Sequence, residues 1–235
     1  MSTSELNQST SLPYLNDTYL FESEAHVLNI FQHENQSVII LDQTIFYPQG
    51  GGQPSDVGFI SSSNGNFEVT KTIFNPDGQV WHLGHFVSGN FEIGQDVALK
   101  IDQQKRLLNA RNHTAGHLID LAIESLQLNL VAVKGFHFPE GAYVEYTGEL
   151  ENLDIVQKLE QKVNEIIQQN PKISFELQES KHESGKPMRI MNVEGFKSCP
   201  CGGTHVASTL EVGKISIKKI KNSKGNIRIS YQIEV

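Results

Sequence analysis

Residues 102–128 read DQQKRLLNARNHTAGHLIDLAIESLQL, and this stretch divides the chain. Leu107, Leu108, Arg111, Ala115, Leu118, Leu121, Ala122 and Leu126 recur at steps of three and four with no proline, the spacing of one helical face. Upstream the pattern differs. Short apolar runs at 25–31, 37–41, 67–74, 80–83 and 97–101 are separated by turn signals at 49–54, 61–66, 75–78 and 88–94. Strands this short and this evenly spaced predict a small barrel or sandwich. Downstream, strand-like runs at 130–138 and 142–146 flank a Pro-Glu-Gly turn. A second amphipathic helix is expected over 152–169, with Leu153, Val156, Leu159, Val163 and Ile166 as its stripe and Pro171 beyond its end. Strand patterns return at 173–177, 188–193, 214–221 and 226–234, the last two forming a hairpin about 222–225. The expected class is α+β. A loose segment 1–17 precedes a β-barrel-like domain, 18–102, that carries a glycine-rich loop, and an α+β domain follows over 103–235.

The composition is that of a soluble globular chain, with 38% hydrophobic and 20% charged residues. No run approaches the roughly 18 apolar residues of a membrane span. The N-terminus lacks a basic start followed by an apolar stretch, so it does not read as a secretory signal and a cytoplasmic location is expected. Cys199 and Cys201 are too close to bridge distant parts of a fold, which leaves metal binding or idle thiols. The net charge of −8 argues against a nucleic-acid partner, but its distribution weakens that argument. Residues 181–235 hold ten Lys/Arg against four acids, a net of +6. Such asymmetry reads either as a basic face for nucleic acid or as lysines protecting a strand edge.

His113-Thr-Ala-Gly-His117 sets two imidazoles at i and i+4, one helical turn apart on a shared face, where both reach one ion. Metalloproteases use this spacing with glutamate after the first histidine; Thr114 stands there, so that reading fails. Alone, the pair is weak evidence. Cys201-Gly-Gly-Thr-His205 adds a thiolate and a third imidazole, and three histidines with one cysteine suit a tetrahedral zinc shell. Gly-Gly after Pro-Cys also reads as a bare turn, but the two motifs together are hard to reduce to that. Cys199 is a rival ligand; Cys201 is preferred for its compact CxxxH spacing. The loop Phe46-Tyr-Pro-Gln-Gly-Gly-Gly-Gln-Pro-Ser-Asp-Val-Gly58 lacks the Lys-Ser/Thr of a P-loop and the helix-opening GxGxxG of a dinucleotide site, so no nucleotide cofactor is expected. His82 and His85 read as structural.

The HTAGH and CGGTH-Val motifs resemble the editing domain of alanyl-tRNA synthetase and its free-standing relatives, the AlaX alanyl-tRNA editing proteins. The glycine-rich loop is similar to that of the small β domain preceding it, and the likeness covers about residues 18–235. It implies one Zn²⁺ per chain on His113, His117, Cys201 and His205, tRNA as partner, and hydrolysis of mischarged alanine tRNA with serine, or glycine, as the amino acid removed. A hydroxyl needs a polar reader, because an apolar pocket barely separates serine from alanine. Thr114 is the first candidate for that reader. Lys134 and His137 are expected on a pocket wall, Gly50, Gly51, Gly52 and Gln53 near the substrate, and Lys218, Lys219, Lys221 and Lys224 on tRNA phosphates. No carboxylate is expected beside the metal motifs, so no protein general base is assigned. Three other readings stay open: a threonyl-type editing module, a structural-zinc tRNA-binding protein without catalysis, and a zinc hydrolase of small esters. The oligomeric state is not legible.

Overall fold

The computed structural model describes residues 9–150, 155–178, 188–223 and 225–234. The chain is α+β and divides into two compact units, Met1–Gly50 with Pro54–Leu107 and Gly51–Gln53 with Leu108–Val235.

The first unit is a closed six-stranded barrel. Its strands are β1 (Glu22–His33), β2 (Gln36–Leu41), β3 (Gly58–Ser61), β4 (Gly65–Phe74), β5 (Val80–Gly89) and β6 (Asp96–Ile101), ordered β1-β2-β5-β4-β3-β6 with antiparallel neighbours. Period-two patterning builds it: β6 turns Val97, Leu99 and Ile101 inward and Asp96, Ala98 and Lys100 outward. The inward set meets Ala25, Val27, Ile39, Leu41, Ile60 and Phe67 in one core. Closure leaves no free edge to pair with another chain. Residues 9–17, expected to be loose, are held down. Tyr14 is buried, and the Thr10 hydroxyl donates to Leu41 O while accepting from Val80 N–H.

Arg106 is fully buried in this unit. Its guanidinium donates to the Asp56 carboxylate and to the carbonyls of Ile45 and Thr18, and Tyr47 N–H donates to the same carboxylate at 2.7 Å. Burial pushes the Asp56 carboxyl up and the Arg106 charge pulls it back. Removing either partner strands a buried charge, at a cost of about 3–5 kcal/mol.

Helix α1 (Gln103–Ser125) begins in the first unit and continues through the second. From Asn109 to Ile123 every side chain is buried or half-buried. A helix enclosed on all sides must find partners for its polar groups, and those partners build the site described below. One sheet of this unit is ordered β12-β13-β8-β7, from β7 (Leu130–Phe136), β8 (Tyr143–Gly148), β12 (Lys214–Ser223) and β13 (Asn226–Glu234). The other is ordered β11-β10-β9, from β9 (Ile173–Gln178), β10 (Met188–Val193) and β11 (Cys199–Pro200). Helix α2 (Val156–Gln169) buries Leu159, Val163, Ile166 and Ile167 and ends at Asn170 in the left-handed region, just before Pro171. Its Asn164 side chain donates to Ile215 O and accepts from Ile215 N–H, both at about 3 Å, which satisfies the backbone of edge strand β12. The expected start of this helix, at 152–154, lies outside the described residues. No described helix is long and apolar enough to cross a membrane.

Candidate metal centre

Helix α1 places His113 and His117 on one face with their rings stacked, centroids 5.2 Å apart. The other two members follow β11. Arg189 of β10 accepts the Cys201 N–H on its carbonyl and donates through Nη1 to Cys201 O and Gly203 O, at 3.1 and 2.8 Å, so the loop carrying Cys201 and His205 is tied to the sheet. The ligand atoms of His113, His117, Cys201 and His205 all lie within 4.8 Å of one another. Cys201 Sγ is 3.4 Å from His113 Nε2 and 3.1 Å from His205 Nε2. Cys199 Sγ lies 3.6 Å from His117 Nδ1, outside the group. The donor set suits a metal that takes both nitrogen and sulfur.

The glycines of the two motifs have a physical reason. A β-carbon on Gly203 would sit 2.0 Å from His113 Cε1, and one on Gly116 would sit 2.3 Å from His137 Cε1. Each ring rests on bare backbone.

The nitrogens facing away from the group are engaged as well. His113 Nδ1 is 2.6 Å from Gln53 Oε1, which also accepts Thr204 N–H, while Gln53 Nε2 donates to Thr204 Oγ1. An amide oxygen only accepts, so the His113 proton sits on Nδ1 and Nε2 is left for a metal. These contacts explain why Gly51–Gln53 group with the second unit, whereas the sequence pattern puts the whole loop with the barrel. Gln53 is fully buried and spent on protein partners; Gly50 and Gly51 are exposed and Gly52 half-buried. Thr114 is also fully buried. Its hydroxyl donates to Ala110 O and accepts from Val206 N–H and His205 Nδ1, which uses its one proton and both lone pairs.

His137 stacks on His113 at 4.7 Å. The Tyr231 hydroxyl donates to Asn112 O and accepts from His137 Nδ1, which places the His137 proton on Nδ1. Burial pushes the His137 pKa down to about 3, and His117 adds to the effect. Burial likewise lowers His117 to about 4 and holds His113 and His205 well below the ordinary histidine range. All four imidazoles are therefore neutral near pH 7, the form that binds metal. Burial raises the Cys201 thiol, with the Gly203 N–H and Arg189 opposing it.

Sequence reasoning missed three residues. Asp120 follows His117 by three positions, and its Oδ2 lies 3.9 Å from His117 Nδ1 while Oδ1 accepts the Tyr146 hydroxyl at 2.5 Å. A carboxylate therefore does stand beside the metal group, and its i+3 spacing on α1 was the available signal. Arg189 and Phe175, whose ring lies 5.4 Å from that of His205, carry no local motif. A cavity of about 550 Å³ opens here, lined among others by His117, Asp120, Tyr146, Met191 and Cys199. Lys134 is exposed on β7, which ends at Phe136, two residues before the expected limit. Lys218, Lys219 and Lys221 are exposed on β12, where a bulge between Ile217 and Lys219 breaks the simple alternation. Lys224 lies outside the described residues.

The family described as tRNA synthetases class II (A) matches residues 3–105, and the threonyl and alanyl tRNA synthetase second additional domain matches residues 188–230. The chain is 34% identical over 228 residues to the alanyl-tRNA editing protein AlaX-M of Pyrococcus horikoshii, covering 94% of this chain and 96% of that one. The chain belongs to the AlaX family of alanyl-tRNA editing proteins. The AlaX-L protein of the same organism is 32% identical over 232 residues, and this chain spans 56% of its length. Alanine–tRNA ligase 1 of Lachnoclostridium phytofermentans is 34% identical over 212 residues, 80% of this chain and 23% of the ligase. An AlaX-type sequence thus carries both the barrel and the His/Cys group.

Proposed function

We propose that this AlaX-family chain is a Zn²⁺-dependent hydrolase that removes serine, or glycine, from mischarged alanine tRNA. The observation that carries the reading is the buried group His113, His117, Cys201 and His205. Its ligand atoms lie within 4.8 Å of one another, and three imidazoles with one thiolate are a donor set that would hold Zn²⁺. When bound there, Zn²⁺ supplies a Lewis acid that polarises the ester carbonyl.

The chain's own residues do the rest. Gln53 and Thr114 fix the ring orientations of His113 and His205, so neither is assigned to the substrate. His137 backs His113 as a neutral ring. The aminoacyl group lies in the cavity beside His117, where the Asp120 carboxyl and the Tyr146 hydroxyl are the polar groups for its ammonium and side-chain hydroxyl. Lys134 and the exposed Gly51 backbone meet the tRNA acceptor end, and Lys218, Lys219 and Lys221 meet phosphates, releasing counterions.

Four protein ligands also favour a second reading, because a closed tetrahedral shell is the usual mark of a structural metal. One experiment separates the two. Purified protein is incubated with alanine tRNA charged with serine or with alanine, with and without a chelator. The hydrolase reading expects faster release of serine, abolished in Cys201→Ala. A chain that folds with metal and binds tRNA but releases no amino acid is the structural-metal protein instead.

A further inference from the structure

Strand β9 lies at the edge of the three-stranded sheet, with Phe175 opposite Met191 and Leu177 opposite Arg189. Directly opposed residues of an antiparallel pair share a face, so Ile173, Phe175, Leu177, Arg189, Met191 and Val193 stand on one side. That side is core at one end: Ile173, Met191 and Val193 are buried. At the other end it opens, with Phe175 at 36% exposure and Leu177 at 62%. The Phe175 ring lies 5.4 Å from the ring of His205, and the Arg189 guanidinium carbon sits 3.7 Å over its centroid. Arg189 is itself buried and fixed to the Cys201–Gly203 backbone. An aromatic ring braced from behind by an anchored cation, beside a metal ligand, is a rigid surface with no core to fill.

We propose that Phe175, flanked by Leu177 and backed by Arg189, is the stacking platform for the unpaired 3′-terminal base of the tRNA. The inference rests on the proposed function, because the reacting ester sits on the terminal ribose. A base is joined to that ribose, so it lies one sugar away from the reacting carbon. Phe175 offers an exposed apolar ring on the β9 side, 5.4 Å from that of His205. Single-stranded ends are recognised by stacking on aromatic rings, which tolerates any base and is worth about 1–3 kcal/mol for each base. Arg189 contributes a cation close to the same nucleotide.

Alanine tRNA carrying 2-aminopurine at its 3′ end is the probe, since the fluorescence of that base is quenched when it stacks. Uncharged probe tRNA is titrated with wild-type protein, Phe175→Leu and Phe175→Trp, each checked for equal zinc content and equal thermal stability. Quenching on binding to wild type and to Phe175→Trp, lost in Phe175→Leu, is the expected result. With serine-charged tRNA, Phe175→Leu is expected to raise KM about 10- to 100-fold with kcat nearly unchanged, and Phe175→Trp to restore KM. Quenching and KM that are the same in Phe175→Leu as in wild type overturn the platform. Should no variant, wild type included, release serine, the hydrolase reading fails, and the fluorescence arm still decides whether Phe175 holds the base.

Discussion

Gln53→Ala tests the centre from behind. The substitution deletes the acceptor for His113 Nδ1–H at 2.6 Å and for Thr204 N–H at 3.1 Å, together with the donor to Thr204 Oγ1 at 2.8 Å. All three hydrogen bonds are buried, and a buried polar group left unpaired costs about 1–3 kcal/mol. Water entering the vacated space recovers part of that, so a net loss of about 3 kcal/mol is expected in the metal-free protein. The metal feels the change separately. Once its Nδ1 proton is unheld, the His113 ring is free to rotate, and outer-sphere losses of this kind lower metal affinity about 10- to 100-fold. Gln53→Glu keeps an acceptor in place and makes it a stronger one, so its zinc affinity should equal or exceed wild type. Competition against a chromogenic zinc chelator gives the affinities, and urea unfolding of apo-protein gives the stability. Should Gln53→Ala lose stability but bind zinc as tightly as wild type, Gln53 is packing alone and the outer-sphere argument is wrong.

Three further expectations follow from the same geometry. Cys201→Ala should lose most bound zinc while Cys199→Ala keeps it, read by metal analysis of the purified proteins; the opposite pattern reverses the ligand assignment. Thr114→Val should weaken zinc binding, because His205 Nδ1 loses its acceptor, yet leave the ratio of serine to alanine release unchanged. A narrowed ratio at equal zinc content returns Thr114 to the substrate. In the barrel, His82 is fully buried, with Nδ1 donating to Ile39 O and Nε2 accepting from Thr44, and burial lowers its pKa from 6.5 to about 4. Its folded form therefore stays neutral while the unfolded chain takes up a proton, so the stabilisation is complete above pH 6.5 and is lost as pH falls towards 4. The amount is about 3 kcal/mol. Urea midpoints of wild type and His82→Gln between pH 4 and 7.5 should differ in slope by one proton, and identical slopes refute the assignment.

The architecture was largely legible because periodicity reports it directly. Period two marked the barrel strands, the three-and-four steps marked α1, and Pro171 closed α2. The two motifs named four side chains whose ligand atoms the fold brings within 4.8 Å of one another. What sequence could not convey was the use of a polar group after folding. Gln53 is 60 positions from His113 and 151 from Thr204, and nothing local separates an amide that meets substrate from one that holds a ligand. Thr114 hides its use for the same reason: its neighbours on the chain are histidines, while its hydroxyl is engaged by Ala110, Val206 and His205. The lysines of β12 illustrate a different loss. Alternation would split Lys218 from Lys219 and Lys221, but the bulge leaves all three exposed. Phe175 reads as one more apolar residue of a strand until its exposure and its distance to His205 are known.

The missing β-carbon at position 116 ties together two places that are remote in the chain. His137 occupies the volume that any side chain on residue 116 would claim. A variant of this chain cannot then change these two positions independently. One that enlarges residue 116 must surrender or displace the ring at 137, and with it the flat neighbour of His113. Glycine in this HxxxH motif is therefore half of a two-residue choice, and histidine at 137 is the other half.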